Sequence, residues 1–288
     1  ENNFKNNRFM FIMIKQILLF AIFFNLGVLY TFAAKVDTVL TYSASMNKNI
    51  PSIVITPDTY NNKTKFPVVY LLHGHGGDYT SWTKTSNEAI EMADKHNLIV
   101  VCPDGNKASW YFDSPLDSTS RYETYVAKEL VHWIDNNYKT IANREGRAIT
   151  GLSMGGHGAL YLAFRHQDIF GACGSMSGGV DIRPFPNNWG MKEHLGNQSE
   201  YPQNWEKNTV INMMHLLTPN SLAITIDCGT DDFFYDVNIR LHKELTYRNI
   251  PHTFISRPGV HDWNFWKTSI KYHTLFFAEY FNQNTLQK

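Results

Sequence analysis

Apolar and polar positions alternate in two rhythms along most of the chain. Short runs rich in Val, Ile, Leu and Tyr predict strands at 36–42, 52–56, 68–73, 98–102, 147–150, 171–176, 222–227 and 252–256. Between them, helical spacing predicts helices over 87–96, 122–137, 154–166, 237–248 and 263–282. In the second of these, Tyr122, Tyr125, Val126, Trp133 and Ile134 fall on one stripe that can lie on a sheet. Strands separated by helices need crossover connections. The pattern therefore predicts an α/β fold: a mostly parallel twisted sheet of about eight strands with helices on both faces, its first two strands forming an antiparallel edge hairpin. The segment from Gly178 to about Asn208 has no clear period and is rich in Pro, Asn and Trp. A stretch of that length is either a cover over a site or a packed surface excursion.

The first thirty-odd residues follow a different rule. Lys15 precedes an apolar run from Ile17 to Tyr30, broken only by Asn25 and Gly27, and Thr31, Ala33 and Ala34 follow. A positive charge, a short apolar segment and a small-residue step are the layout of a secretory signal peptide. A spanning helix would need about 20 apolar residues. Residues 1–33 are expected to be that signal, with the polar stretch ahead of Met10 and Met13 as upstream sequence, and residues 34–288 to be one domain. The expected location is secreted or periplasmic, with no stable membrane insertion after cleavage. Lys5, Arg8 and Lys15 would leave with the signal against Glu1 alone, so the mature chain is slightly acidic.

Composition narrows the function classes. The 288 residues carry 26 Lys+Arg and 26 Asp+Glu, with no basic run. Such a chain has no field with which to hold a phosphate backbone, so nucleic-acid binding is not expected. The three cysteines, Cys102, Cys173 and Cys228, sit in or beside apolar strand-like runs, where a thiol behaves as a small core residue.

The chemistry begins after the strand ending near Thr150. Gly151-Leu152-Ser153-Met154-Gly155 is G-x-S-x-G between a strand and a helix. A serine at such a sharp turn has an exposed hydroxyl, and glycines on either side let strand and helix approach closely. The turn also puts the Met154 amide at a helix N-terminus, where it can donate to a developing oxyanion. A serine nucleophile needs a base and a group that holds the base's tautomer, and on this turn they follow in the order acid, then histidine. Cys228-Gly229-Thr230-Asp231-Asp232 ends one strand with two carboxylates, of which Asp232 is favoured because it closes a turn. Pro258-Gly259-Val260-His261 puts a histidine on the loop before the last helix. His157 and His166 lie in or at the end of the helix after Ser153 and are less suited; Ser175 and Ser177 lack the turn pattern. The glycine-rich loop His73-Gly74-His75-Gly76-Gly77 can turn a second amide toward the reacting carbonyl, that of His75 or else Gly76. The same His-x-His raises a zinc site, but a binuclear pattern needs an Asp where Gly77 stands, so neither metal nor cofactor is expected.

Taken together, Tyr70-Leu71-Leu72-His73-Gly74-His75-Gly76-Gly77, Gly151-Leu152-Ser153-Met154-Gly155-Gly156, Cys228-Gly229-Thr230-Asp231-Asp232 and Gly259-Val260-His261-Asp262 resemble the esterase D-like branch of the α/β-hydrolases. That branch holds carbohydrate esterase family 1 feruloyl and acetylxylan esterases, S-formylglutathione hydrolases and antigen 85 mycolyltransferases. The resemblance implies an α/β-hydrolase fold, a Ser153, Asp232 and His261 triad, and an oxyanion hole of the His75 and Met154 amides. It places the stretch Ser109–Pro115 beside the pocket, where Trp110 and Asp113 either contact an acyl or sugar group or form a packed wall; Gly76 is a further expected substrate contact. The implied activity is carboxylic ester hydrolysis, on acetyl or feruloyl groups of plant polysaccharide. Alternatives are a generic short-chain esterase, an S-formylglutathione hydrolase-like thioesterase, an acyltransferase, and a non-catalytic glycan-binding protein on the same fold.

Overall fold

Strands that are apolar on both faces can be satisfied only between two layers of helix, and that is the arrangement found. The computed structural model describes residues 34–286; the expected signal segment lies outside them. Strands β1 (Lys35–Ser43), β2 (Lys48–Thr56), β3 (Val68–Leu72), β4 (Ile99–Pro103), β5 (Arg147–Gly151), β6 (Ala172–Met176), β7 (Ala223–Gly229) and β8 (Thr253–Arg257) form one sheet in the order β1-β2-β4-β3-β5-β6-β7-β8. The edge hairpin is antiparallel, with Lys35 opposite Thr56 and Ser43 opposite Lys48; β2 also runs antiparallel to β4, and every other pairing is parallel.

The helices are α1 (Ser81–Thr85), α2 (Glu88–His96), α3, α4 (Met154–Arg165), α5 (Met191–Leu195), α6 (Pro202–Lys207), α7 (Tyr235–Tyr247) and α8 (Trp263–Leu286). Of these, α3 opens as one turn at Tyr122–Thr124, widens into π-helical turns at Tyr125–Leu130 and closes as Val131–Asn137. The period-two strands divide the core. Val68, Tyr70 and Leu72 of β3 face a cluster with residues of α3, α4 and α7, whereas Val69 and Leu71 face a second one with α2 and α8. Cys102, Cys173 and Cys228 are buried free thiols, as the apolar runs around them predict.

One consequence of the topology fixes where chemistry can occur. From β3 the chain crosses to β4 on one side and then to β5 on the other, so the loops leaving β3 and β5 diverge. A crevice opens at such a switch point, at the carboxyl ends of the strands. The Gly74–Gly77 loop follows β3, and Ser153 follows β5.

The Gly178–Asn208 excursion contains α5 and α6 and is anchored by burial of Val180, Ile182, Met191, Leu195 and Trp205. Asp181 accepts from Arg183 and Arg240, and the Trp205 indole donates to the Gly196 carbonyl at 2.9 Å. It is a packed wall over much of its length. Periodicity missed it because its helices are 5 and 6 residues long, too short to show a stripe.

Candidate active site

The turn after β5 is strained, as the G-x-S-x-G pattern predicts. Ser153 has φ 54 and ψ −116, a conformation costing an L-residue of order 1–3 kcal/mol. Its surroundings hold it there: the Ser153 amide donates to the Met176 carbonyl at 2.8 Å, Gly155 to Leu152 at 2.7 Å, and His157 to the Ser153 carbonyl at 3.0 Å. The two flanking glycines make the approach possible. A Cβ on Gly155 would fall 2.6 Å from the carbonyl oxygens of both Leu72 and His73, and one on Gly151 would fall 2.6 Å from the Gly155 carbonyl. The start of α4 therefore rests directly on the end of β3, which tips Ser153 into the crevice.

From the far side of the sheet, β7 and β8 bring the other two groups. Asp232 follows β7 in a tight turn, its amide donating to Gly229 at 3.2 Å and one carboxylate oxygen, Oδ1, accepting from the Phe234 amide at 2.8 Å. The other oxygen, Oδ2, accepts from His261 Nδ1 at 2.8 Å, and His261 Nε2 lies 2.9 Å from Ser153 Oγ. The Asp232 side chain is fully buried, while that of His261 keeps 14% exposure, facing the cleft. Asp231, by contrast, is exposed, and its amide is spent on the Gly259 carbonyl at 3.0 Å. Of the two carboxylates left open by spacing, geometry brings Asp232 to the imidazole. The His261 ring is fixed by aromatic neighbours, Trp266 edge-on at 4.9 Å and Phe233 at 4.2 Å between ring centres.

Two backbone amides beside Ser153 or at the rim of its cleft have no acceptor among the described residues. Met154 is the first residue of α4, so its N–H has no acceptor within the helix. The His75 amide has no hydrogen-bond partner among the described residues, whereas Gly76 donates to the Lys107 carbonyl at 2.8 Å and is unavailable. His73 braces the loop: its Nδ1 bonds the Gly74 carbonyl at 2.8 Å and its Nε2 accepts from the Gly105 amide at 2.8 Å. Burial holds its pKa below the ordinary value and keeps the ring neutral. With both nitrogens spent on backbone, His73 has no lone pair to offer a metal.

The cleft around Ser153 has a volume of about 350 Å³ and is walled by Leu152, Trp189, Phe233, Trp263 and Trp266, with the Gly74–Gly77 loop forming its rim. Gly76 stands at that rim. Trp110 and Asp113 do not line it. Trp110 is 1% exposed and donates from Nε1 to the Trp189 carbonyl at 3.1 Å, so it props Trp189 from behind. Asp113 is occupied by the Thr124 amide at 2.9 Å, the Thr124 hydroxyl at 2.6 Å and Arg121 at 3.2 Å. The aromatic walls went unread in the sequence. Trp189 lies in the aperiodic excursion, and the only signal for Phe233 was an apolar residue directly after the acid, exposed at 52%.

Known proteins share this arrangement of sequence and fold. Esterase Rv1288 of Mycobacterium tuberculosis is 35% identical over 150 residues, 51% of this chain, and the chain spans about a third, 32%, of that relative's length. The acetyl esterase of Caldicellulosiruptor saccharolyticus is 25% identical over 253 residues, covering 80% of this chain and 92% of the relative. Among solved structures, a ferulic acid esterase superimposes with a TM-score of 0.74 at 28% identity, over 87% of this chain and all of that one (100%). The family model for Esterase matches residues 43–277. On that match, and with the sheet described above, the chain belongs to the Esterase family, built on the α/β-hydrolase fold.

Proposed function

We propose that this protein is a serine esterase that works through an acyl-enzyme on Ser153 and removes acetyl or feruloyl groups from plant polysaccharide. The observation that carries the reading is the continuous relay from Ser153 Oγ through His261 to Asp232, with contacts of 2.9 and 2.8 Å. In it, Oγ attacks the ester carbonyl carbon while His261 Nε2 takes the hydroxyl proton. Asp232 holds the Nδ1–H tautomer and stabilises the imidazolium. The carbonyl oxygen, now negative, lies against the amides of His75 and Met154, which were oriented before the reaction and need no reorganisation. Collapse of the tetrahedral intermediate breaks the C–O bond to the alcohol, and His261 returns its proton to that oxygen. Water repeats the sequence on the acyl-enzyme and frees the acid.

The substrate class is supported by the cleft's aromatic walls, Trp189, Phe233, Trp263 and Trp266, which suit a flat acyl group or a sugar face. It is supported further by similarity to proteins named acetyl esterase and ferulic acid esterase. Export is part of the proposal and rests on the Lys15 to Ala34 sequence pattern. Initial rates on acetyl, butyryl and feruloyl esters, with fluorophosphonate labelling of wild type and Ser153→Ala, test the reading. Labelling confined to wild type, with fastest turnover on acetyl or feruloyl esters, is expected; folded wild-type protein that takes no label would end it.

A further inference from the structure

A second and larger cleft, about 800 Å³, lies where the C-terminal end of α4 meets the first turns of α3 and the end of α6. It is remote from the serine: Arg165 stands 12 residues along α4, roughly 18 Å at 1.5 Å per residue. The chemistry of its lining is lopsided. Each carboxylate facing it is already occupied. Glu123 accepts from Arg165 Nε at 2.8 Å, His166 Nε2 at 2.9 Å and Tyr161 Oη at 2.7 Å. Asp113 is held by Thr124 and Arg121, and Glu206 by Arg183 at 3.0 Å.

The cations are not matched in the same way. Lys128 and Lys207 line the cleft, are exposed, and have no ion-pair or hydrogen-bond partner among the described residues. Arg165 is more telling. Its Nε is fixed by Glu123 and its guanidinium lies 5.2 Å from the centre of the Tyr161 ring, so the planar group is held in place. Neither of its Nη groups has an acceptor among the described residues. A guanidinium braced at Nε with its terminal nitrogens free is set for two parallel hydrogen bonds to one oxyanion, and nearby ammonium groups add charge without demanding geometry.

We infer that this cleft binds an oxyanion-bearing ligand, whose carboxylate or phosphate group is gripped by the Nη edge of Arg165 and neutralised by Lys128 and Lys207. The excursion that gives Lys207 to this cleft also gives Trp189 to the Ser153 cleft, so a bound anion holds a segment shared by two sites.

The test is calorimetric titration of the full chain with tri-galacturonate, inorganic phosphate and neutral xylotriose. At least one anion is expected to bind, more weakly as salt rises, whereas xylotriose binding at the Ser153 cleft is expected to be unchanged by salt and by reversing the lysine charges. Tri-galacturonate binding alone identifies a carboxylate ligand, phosphate binding alone a phosphate. The Lys128→Glu/Lys207→Glu variant should lose at least tenfold in affinity while hydrolysing a small aryl acetate at the wild-type rate. Arg165→Lys, which keeps the charge but not the fork, should lose several-fold. Ser153→Ala should bind as wild type does, which separates this site from the serine cleft. No anion binding, anion binding that is indifferent to salt, or indifference to the charge-reversed variant would overturn the inference.

Discussion

Replacing Gly155 by alanine tests whether the direct approach of α4 to β3 sets the nucleophile. On helix propensity alone the change should stabilise, by about 1 kcal/mol. The contacts argue the other way. The new methyl would lie 2.6 Å from two backbone carbonyl oxygens, and reaching an ordinary contact of 3.4 Å requires the start of α4 to retreat by about 0.8 Å. Those oxygens belong to Leu72, the last residue of the central strand β3, and to His73 directly after it, both buried, and cannot yield in its place. Ser153 immediately precedes the helix and moves with it, stretching its 2.9 Å contact with His261 beyond hydrogen-bond range. A misplacement near 1 Å costs about a hundredfold in rate, or about 2.7 kcal/mol of transition-state stabilisation. Overpacking should also lower stability by about 1–3 kcal/mol. The assay is the rate of acylation by a fluorophosphonate, measured well below the melting transition followed by circular dichroism. A folded Gly155→Ala protein acylated at the wild-type rate would refute the argument, because the glycine would then be a matter of sequence habit and not of contact.

Asp232→Asn keeps the shape but turns an amide toward His261 Nδ1, favouring the wrong tautomer; kcat on an aryl ester should fall about 10⁴-fold with the melting temperature changed little. Trp189→Ala should raise KM for feruloyl esters more than for acetyl esters, since it removes one aromatic wall of the cleft; equal effects on both would remove Trp189 from recognition. Burial pushes the pKa of His157 down to about 4, so the folded state holds the ring neutral. The associated stability is complete above the unfolded value near 6.5 and is lost as pH falls toward 4, worth about 3 kcal/mol; urea midpoints of His157→Gln should show a shallower acid loss than wild type. Asp227 runs opposite: burial raises its pKa to about 7, so its contribution is present below about pH 4 and is lost as pH rises through 7, by about 4 kcal/mol. Asp227→Asn should therefore gain on wild type between pH 5 and pH 8, and an unchanged difference across that range would contradict the assigned shift.

Much of the architecture could be read before any coordinates because burial leaves strong marks. β3 and β4 are apolar on both faces, and β1 alternates polar with apolar residues, so strand identity and even the edge hairpin follow from composition. Ser153, Asp232 and His261 were legible for a different reason: each follows a strand, and their order along the chain is constrained by the turn that carries the serine. Choosing between Asp231 and Asp232 was harder, since adjacent residues share every sequence-level property; only the turn that buries one and exposes the other separates them. Cleft walls left no comparable trace. Trp110 and Trp189 are both aromatic residues in irregular segments and both have positive φ; that Trp189 lines the cleft while Trp110 is buried behind it, bonded to its carbonyl, is visible only in the fold.

Serine, acid and imidazole each hang from a different strand end, and the last of them follows β8, close to the final helix. A polypeptide still emerging from the ribosome lacks the imidazole until the last strand of the sheet and the loop after it have been synthesised. Under the mechanism proposed above, a nascent chain is inert toward esters it meets until β8 and the loop carrying His261 have emerged and the sheet closes.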